Sequence, residues 1–349
     1  MKRILFLVNG YGLGNSTRIH SIIQCIDKKY EMDIFGYGNS IEYFKQVPQI
    51  KNIFQSFPLE YGLKKGKIDF FKTAGKLFQN LQAIYKSRQH LKQILQSKTY
   101  SLIIADSNFS TFLLKNRPKL ISINNANVII QSTRKIKKRP YLASYLIECL
   151  DYLYNSTVPD LVISPFFEPH KNTKKFKHTA LMVRKEFLPS HHTDLIKKHH
   201  VLIIPSGASL THSDLLIKHD DTNYDMSIIG NQMPIYGAVK KQGKVFNTSD
   251  LIQQSTITVV NGGLSSISES LAMAKPMIII PLKGHLEQKI NAFWIQKNKL
   301  GLTSSWSHLK KSIHEIIKNY DFFKKKLLEY KYTNGAKQTA DLIEKEIDK

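Results

Sequence analysis

Short runs of aliphatic and β-branched residues recur along the chain, each cut off by glycine, asparagine, aspartate or proline. Ile4 to Val8 stops at Asn9-Gly10, Met32 to Phe35 at Gly36, Leu102 to Ala105 at Asp106, and Leu120 to Ile123 at Asn124-Asn125. Leu161 to Ser164 is a further run of the same kind. The pattern then restarts: Val201 to Ile204 runs into Pro205-Ser206-Gly207, Ser227 to Ile229 into Gly230, and Ile257 to Val260 into Asn261-Gly262-Gly263. Met277 to Ile280 closes the series. Short apolar runs bounded by turn formers spell buried strands. Between them the apolar residues change to helical spacing, as at Ile19, Ile22, Ile23 and Ile26, or at Ile267, Leu271 and Ala274. Strands alternating with helices predict an α/β protein, and 349 residues are enough for two domains with full cores.

Two longer segments read as helical, the first as one long helix or a pair. From Lys64 to Lys98, Phe70, Ala74, Leu77, Leu81, Ile84, Leu91 and Leu95 share a face, with Phe71, Phe78 and Tyr85 in a second row and lysines elsewhere. Core packing accounts for most of these residues, and a stripe so wide also suits an anionic membrane surface. Tyr141 to Tyr154 is an apolar, aromatic helix directly after the densest basic run, Arg134 to Arg139. The domain boundary is expected between Arg184 and His200, dividing the chain into 1–186 and 187–349. His191, His192, His199 and His200 fall there. Without a carboxylate or cysteine at zinc-like spacing they read as polar linker, and no metal site is expected.

Charge changes the picture. The net formal charge is +24, and it is lopsided: 29 basic and 11 acidic residues through Arg184 give +18, whereas 22 and 16 in the remainder give +6. The first half is therefore expected to meet something anionic, such as a membrane surface, a phosphorylated lipid or a nucleic acid, with a lysine-rich compositional bias as the alternative. The basic run next to an apolar helix suits a membrane at least as well as a nucleic acid. Cys25 and Cys149 are too few for a disulfide framework, which implies a reducing cytoplasm, here at the inner face of the membrane. No apolar run reaches spanning length, and the apolar start at Ile4 goes straight into a glycine turn, as a first strand does.

The candidate chemistry sits in the turns. Gly10-Tyr11-Gly12-Leu13-Gly14 is G-x-G-x-G, and the second strand ends at Gly36-Tyr37-Gly38-Asn39-Ser40 without a carboxylate. Both features count against a nicotinamide or flavin enzyme. Gly262-Gly263 before a helix capped by Ser265 or Ser266 is a site for anions, because free N–H groups and the helix dipole favour negative charge there. Glu269, one turn on, can accept hydrogen bonds from a ribose, and Glu287, Gln288 and Asn291 suit sugar hydroxyls. Asp106, at the C-terminal end of a strand, is an acid–base candidate and equally a helix cap.

Taken together, GG-x-SS-x-x-E, P-x-x-x-x-P and EQ-x-x-N, read from Gly262 to Asn291, resemble the donor half of GT-B glycosyltransferases, particularly the MurG-type and UDP-glycosyltransferase enzymes. The start resembles a bacterial and archaeal group whose first loop reads GYGLGH-[AS]-TR, here with Asn15 in place of the histidine. The resemblance implies two Rossmann-like domains facing a cleft, with the last helix returning to the first domain. It implies a UDP-sugar held by Gly14, Ser206, Gly207, Phe246, Gly262, Gly263, Ser265, Ser266, Glu269, Glu287 and Gln288. Transfer would be metal-independent, without a cofactor and with inversion, to a hydroxyl of a lipid-linked or cell-envelope glycan. Asparagine cannot take a proton at neutral pH, so with Asn15 at the usual base position Asp106 becomes the leading candidate. A nucleotide-sugar 2-epimerase and an inactive nucleotide-sugar-binding protein are the alternative readings.

Overall fold

Runs that are apolar at every position, without alternation, belong to parallel strands covered by helices on both faces. The computed structural model has this architecture twice. It describes residues 1–60, 75–134, 142–188, 198–205, 221–230 and 237–349, together with the backbone of short strand pairs at 63–64 with 67–68 and at 217–219 with 235–236. The first half runs β1 (Arg3–Val8), α1 (Gly14–Ile23), β2 (Glu31–Gly36), α2 (Asn39–Phe44), β3 (Ile50–Gln55), α3 (Leu77–Ser97), β4 (Leu102–Asp106), β5 (Lys119–Ile123), α4 (Ala126–Thr133), α5 (Leu142–Thr157), β6 (Leu161–Pro165) and β7 (Phe176–Thr179). Its seven strands lie in the order β3-β2-β1-β4-β5-β6-β7, all parallel.

The second half follows with β8 (His199–Ile204), β9 (Tyr224–Ile228), β10 (Val239–Lys241), α6 (Ser249–Gln254), β11 (Ile257–Val260), α7 (Leu264–Ala272), β12 (Met277–Ile279), α8 (Leu286–Lys297) and β13 (Gly301–Thr303). Three helices finish the chain: α9 (Leu309–Lys318), α10 (Tyr320–Tyr330) and α11 (Gly335–Ile347). The six-stranded sheet is again parallel, ordered β10-β9-β8-β11-β12-β13. Both sheets reverse direction of winding beside their first strand, at β1/β4 and at β8/β11. Loops leaving such a reversal open a crevice at the carboxyl ends of the strands.

Three packing units position the site. Ile4, Phe6 and Val8 face α1 and α2, and the same core takes in Ala336, Ala340, Ile343 and Ile347 of α11. Leu5 and Leu7 point to the other face, against Leu91 and Ile94 of α3. A further core crosses between the halves, joining Val128 and Ile129 of α4 to Leu264, Ile267, Ile290 and Trp294 of α7 and α8, with Phe167 stacked on Trp294 at 4.3 Å.

Several local expectations change. Of the helix or helix pair expected over Lys64–Lys98, the part from Leu77 to Ser97 is α3, whereas Leu63–Lys64 pairs antiparallel with Lys67–Ile68. Glycines at 62 and 66 make that stretch a poor helix. Phe70, Phe71 and Ala74 lie outside the described residues, as do Lys135 to Arg139. His199 and His200 are not linker; they open β8, with His200 Nε2 2.8 Å from Ser227 Oγ and His199 Nδ1 3.2 Å from Thr256 Oγ1. Neighbouring hydroxyls accommodate these rings in a sheet that a purely apolar criterion begins at Val201. His191 and His192 lie outside the described residues.

Candidate active site

The first-half floor is built from the loop after β1. Asn9 is nearly buried, and its Oδ1 accepts from Tyr11 N (2.9 Å) and Tyr37 OH (2.8 Å) while its Nδ2 donates to Ser107 O (3.1 Å). Asn9 thus ties the ends of β1, β2 and β4 together. Gly10 passes so near β2 that a Cβ there would sit 1.4 Å from the Tyr37 carbonyl oxygen. Beside it Arg18, on α1, forks onto Asp106: Nε to Oδ2 at 2.8 Å and Nη2 to Oδ1 at 2.6 Å, with Asp106 fully buried. Burial pushes the Asp106 carboxyl up, against the pull of Arg18. Both oxygens accept from Arg18 and the carboxylate is fully buried, so a substrate hydroxyl reaches it only where this pair opens.

The second-half wall is the β11–α7 turn. Gly262 has φ +92°, and a Cβ would meet Gln288 O at 3.1 Å, so this turn needs glycine. Asn291 Nδ2 donates to Gly262 O (3.0 Å), and Gln288 Oε1 accepts from Leu282 N (2.9 Å), so these α8 side chains brace the turn and the loop after β12. The helix cap is Gly263, not either serine. Ser266 Oγ bonds back to Gly263 O (3.2 Å), and Ser265 Oγ donates across the cleft to Gly14 O (2.9 Å). A serine hydroxyl that finds a carbonyl on the opposing loop is lost to capping, and the free N–H groups of the first turn stay open.

Glu269 lies deeper. Thr248 Oγ1 donates to it at 3.3 Å and Arg184 Nη2 at 3.5 Å. Burial raises the Glu269 carboxyl and Arg184 lowers it. Arg184 also reaches Tyr43 OH (3.1 Å) and Phe246 O (3.3 Å), joining α2 to the second half. Phe246 packs edge-on to Tyr43 at 6.0 Å with Lys244 5.0 Å over its ring. His20 shares this network through Tyr43 OH at 2.8 Å, and burial with nearby Arg184 pushes its pKa down to about 4.

A third group of polar residues joins the halves. Asn125 Nδ2 approaches Glu287 Oε1 at 3.4 Å, Leu286 N donates to Ser144 Oγ at 2.9 Å, and Asn124 Nδ2 donates to Asp151 Oδ2 at 2.8 Å. Arg18, Arg184, Glu148 and Asp151 were not singled out in the sequence, whereas Asn124 opens the polar loop noted after Ile123. The available signals were the arginine of the Thr17-Arg18 pair and two acids one turn apart, at 148 and 151, in an otherwise apolar helix. Ser206 and Gly207 lie outside the described residues.

Two parallel α/β sheets with facing switch-point loops, bridged from Ser265 to Gly14, are the GT-B architecture of glycosyltransferases. Residues 2–320 match glycosyl transferase family 1, and the chain belongs to that family. An uncharacterized glycosyltransferase of Methanosarcina acetivorans is 24% identical over 390 residues, covering 99% of both chains. Among solved structures, MurG of Acinetobacter baumannii has a TM-score of 0.62 at 13% identity, with 99% of this chain and 100% of that one covered. The spinosyn forosaminyltransferase SpnP has a TM-score of 0.64 at 8% identity, with 100% of each covered. These two likenesses concern the fold.

Proposed function

We propose that this glycosyltransferase moves a sugar from a UDP-sugar, held by residues 187–349, to a hydroxyl of an anionic, lipid-linked acceptor met by residues 1–186. The observation that carries the reading is the Ser265–Gly14 hydrogen bond, which brings the two glycine loops into one cleft. The diphosphate lies at Gly262, Gly263, Ser265 and Ser266, and the family resemblance assigns Ser206 and Gly207 to the same group. The first-turn N–H groups of α7 stabilise the charge that grows as the nucleoside diphosphate departs. Glu269 receives the ribose and exchanges its Arg184 contact for hydroxyl donors. Glu287 and Gln288 face the sugar, and attack with inversion places the acceptor on the Asn15 side.

Glu269→Ala is expected to weaken UDP-sugar binding by about 1–3 kcal/mol, the range for losing a hydrogen bond to a charged group. Isothermal calorimetry of the folded variant with UDP-glucose and UDP-N-acetylglucosamine measures it. Unchanged affinity would remove Glu269 from the site.

The lipid-linked acceptor is supported by α5. Leu142, Leu146, Leu150 and Leu153 recur along its outer side, 46–73% exposed, and Leu77, Phe78 and Leu81 of α3 are exposed as well. Among the described residues no helix is long and apolar enough to cross a membrane. An apolar ridge on a helix that follows the basic run Arg134 to Arg139 in sequence suits adsorption to an anionic leaflet, each basic residue near the surface contributing about 1 kcal/mol. The double variant L146D/L150D should lose co-sedimentation with phosphatidylglycerol vesicles at low salt. Equal sedimentation of both proteins, or binding to duplex DNA in place of vesicles, would overturn the membrane assignment.

A further inference from the structure

Transfer of a sugar to a hydroxyl releases a proton, and neither the usual base position, 15, nor the candidate Asp106 is open to collect it. Asn15 carries an amide, and the Asp106 oxygens are both held by Arg18. A third carboxylate, Glu148, lies close enough to Asp151 and Glu287 to feel both of their charges. Helix α5 is turned inside out: its leucines face outward, whereas Ser144, Glu148, Asp151 and Asn155, spaced by three or four residues, lie on the less exposed side. Ser144 on this side accepts from Leu286 N at the start of α8, and Asp151 is held by Asn124 at the end of β5. Glu148 lies between those two anchors, one turn beyond Ser144 and beside Glu287. Among the described residues no side chain donates a hydrogen bond to it, so its lone pairs are available.

We propose that Glu148 is the catalytic base of this enzyme, taking the acceptor proton, and that Asp151 is a positioning residue that tunes it. The inference rests on the nucleotide-sugar reading of the second half. In the step, the acceptor O–H bond breaks and its proton passes to Glu148. The oxygen bonds to the anomeric carbon, and the bond from that carbon to the phosphate oxygen breaks, its electron pair leaving with the nucleoside diphosphate. Burial raises the Glu148 carboxyl well above the ordinary range, and the charges of Glu287 and Asp151 add to the effect. Asp151 is itself pushed up to about 6, chiefly by burial. The other groups around Glu287 are His285, whose pKa burial lowers, and the Arg18–Asp106 pair. A base with raised proton affinity accepts a proton well near neutrality, and turnover then rises with pH as Glu148 loses its proton.

The test has two readouts. Release of UDP from UDP-glucose or UDP-N-acetylglucosamine, with water as acceptor, should fall about 10²–10⁴-fold in Glu148→Gln with donor affinity kept. Glu148→Asp should restore part of the rate, and Asp151→Asn should move the acidic limb of the profile to lower pH. Carboxyl ¹³C NMR, with the Glu148 signal assigned by its absence from Glu148→Gln, should show Glu148 titrating above the ordinary range of glutamate. A wild-type rate in Glu148→Gln, or a midpoint in the ordinary range, overturns the inference. If the wild-type protein binds neither UDP-sugar, the donor assignment is what fails, and the NMR midpoint still decides the status of Glu148.

Discussion

Replacing Arg18 by methionine should lower stability by about 3–5 kcal/mol, the loss expected when one partner of a buried ion pair is removed. Asp106 is fully buried at the end of β4, and apart from a 3.5 Å approach by Ser107 Oγ its described side-chain partner is this guanidinium. Deprived of it, the carboxylate either remains charged without compensation or takes up a proton. Asp106→Asn should be costly for the mirror-image reason, leaving the guanidinium unpaired. The double variant R18M/D106L should recover much of the loss, since well-packed apolar residues often replace a buried pair without penalty. Urea titrations of the four proteins form a double-mutant cycle. A loss below about 1 kcal/mol for Arg18→Met, a value typical of surface pairs, would show that the pair contributes little.

Gly10→Ala is the second large effect expected. The new Cβ would overlap the Tyr37 carbonyl oxygen, and the obstacle is backbone, so no side-chain rotation relieves it. The β1 loop would have to move off β2, breaking Asn39 N to Gly10 O (3.1 Å) and straining the Asn9–Tyr37 contact. Overpacking of this severity should cost about 3 kcal/mol or more, at the upper end for such changes. Gly263→Ala is the matched control: φ is −67° there and a Cβ would meet nothing within 4 Å. Thermal denaturation should separate the two variants by many degrees. Equal melting temperatures would show that the crowding at Gly10 relaxes cheaply.

What the sequence disclosed follows from which interactions are local. Strands such as Leu102–Asp106 were legible because burial on both faces writes a continuous apolar run. The turn at Gly262 was legible because its positive φ selects glycine. Pairings between distant residues leave no such mark. Arg18 and Asp106 are 88 positions apart, and Arg184 and Glu269 are 85 apart. No periodicity relates them. Ser265 was misassigned as a cap for the same reason: its partner, Gly14, is 251 residues away. Glu148 escaped notice because an acid in an apolar helix reads as the solvated side, and here solvent is on the leucine side.

The return of α11 to the first half has a consequence for biosynthesis. Ala336, Ala340 and Ile343 are fully buried against Ile4 and Phe6, and Gly335 N and the Asn334 side chain bond to Leu181 and Val183. Lys2 Nζ donates to Ile347 O at 2.9 Å, and Lys119 pairs with Glu346. The first half to leave the ribosome therefore lacks a wall of its own core until the 13 residues of α11 follow. Folding cannot be completed domain by domain in the order of synthesis. A nascent chain stalled before Gly335 would hold the β1 sheet with one apolar face uncovered, and a fragment ending near residue 186 would share that exposure.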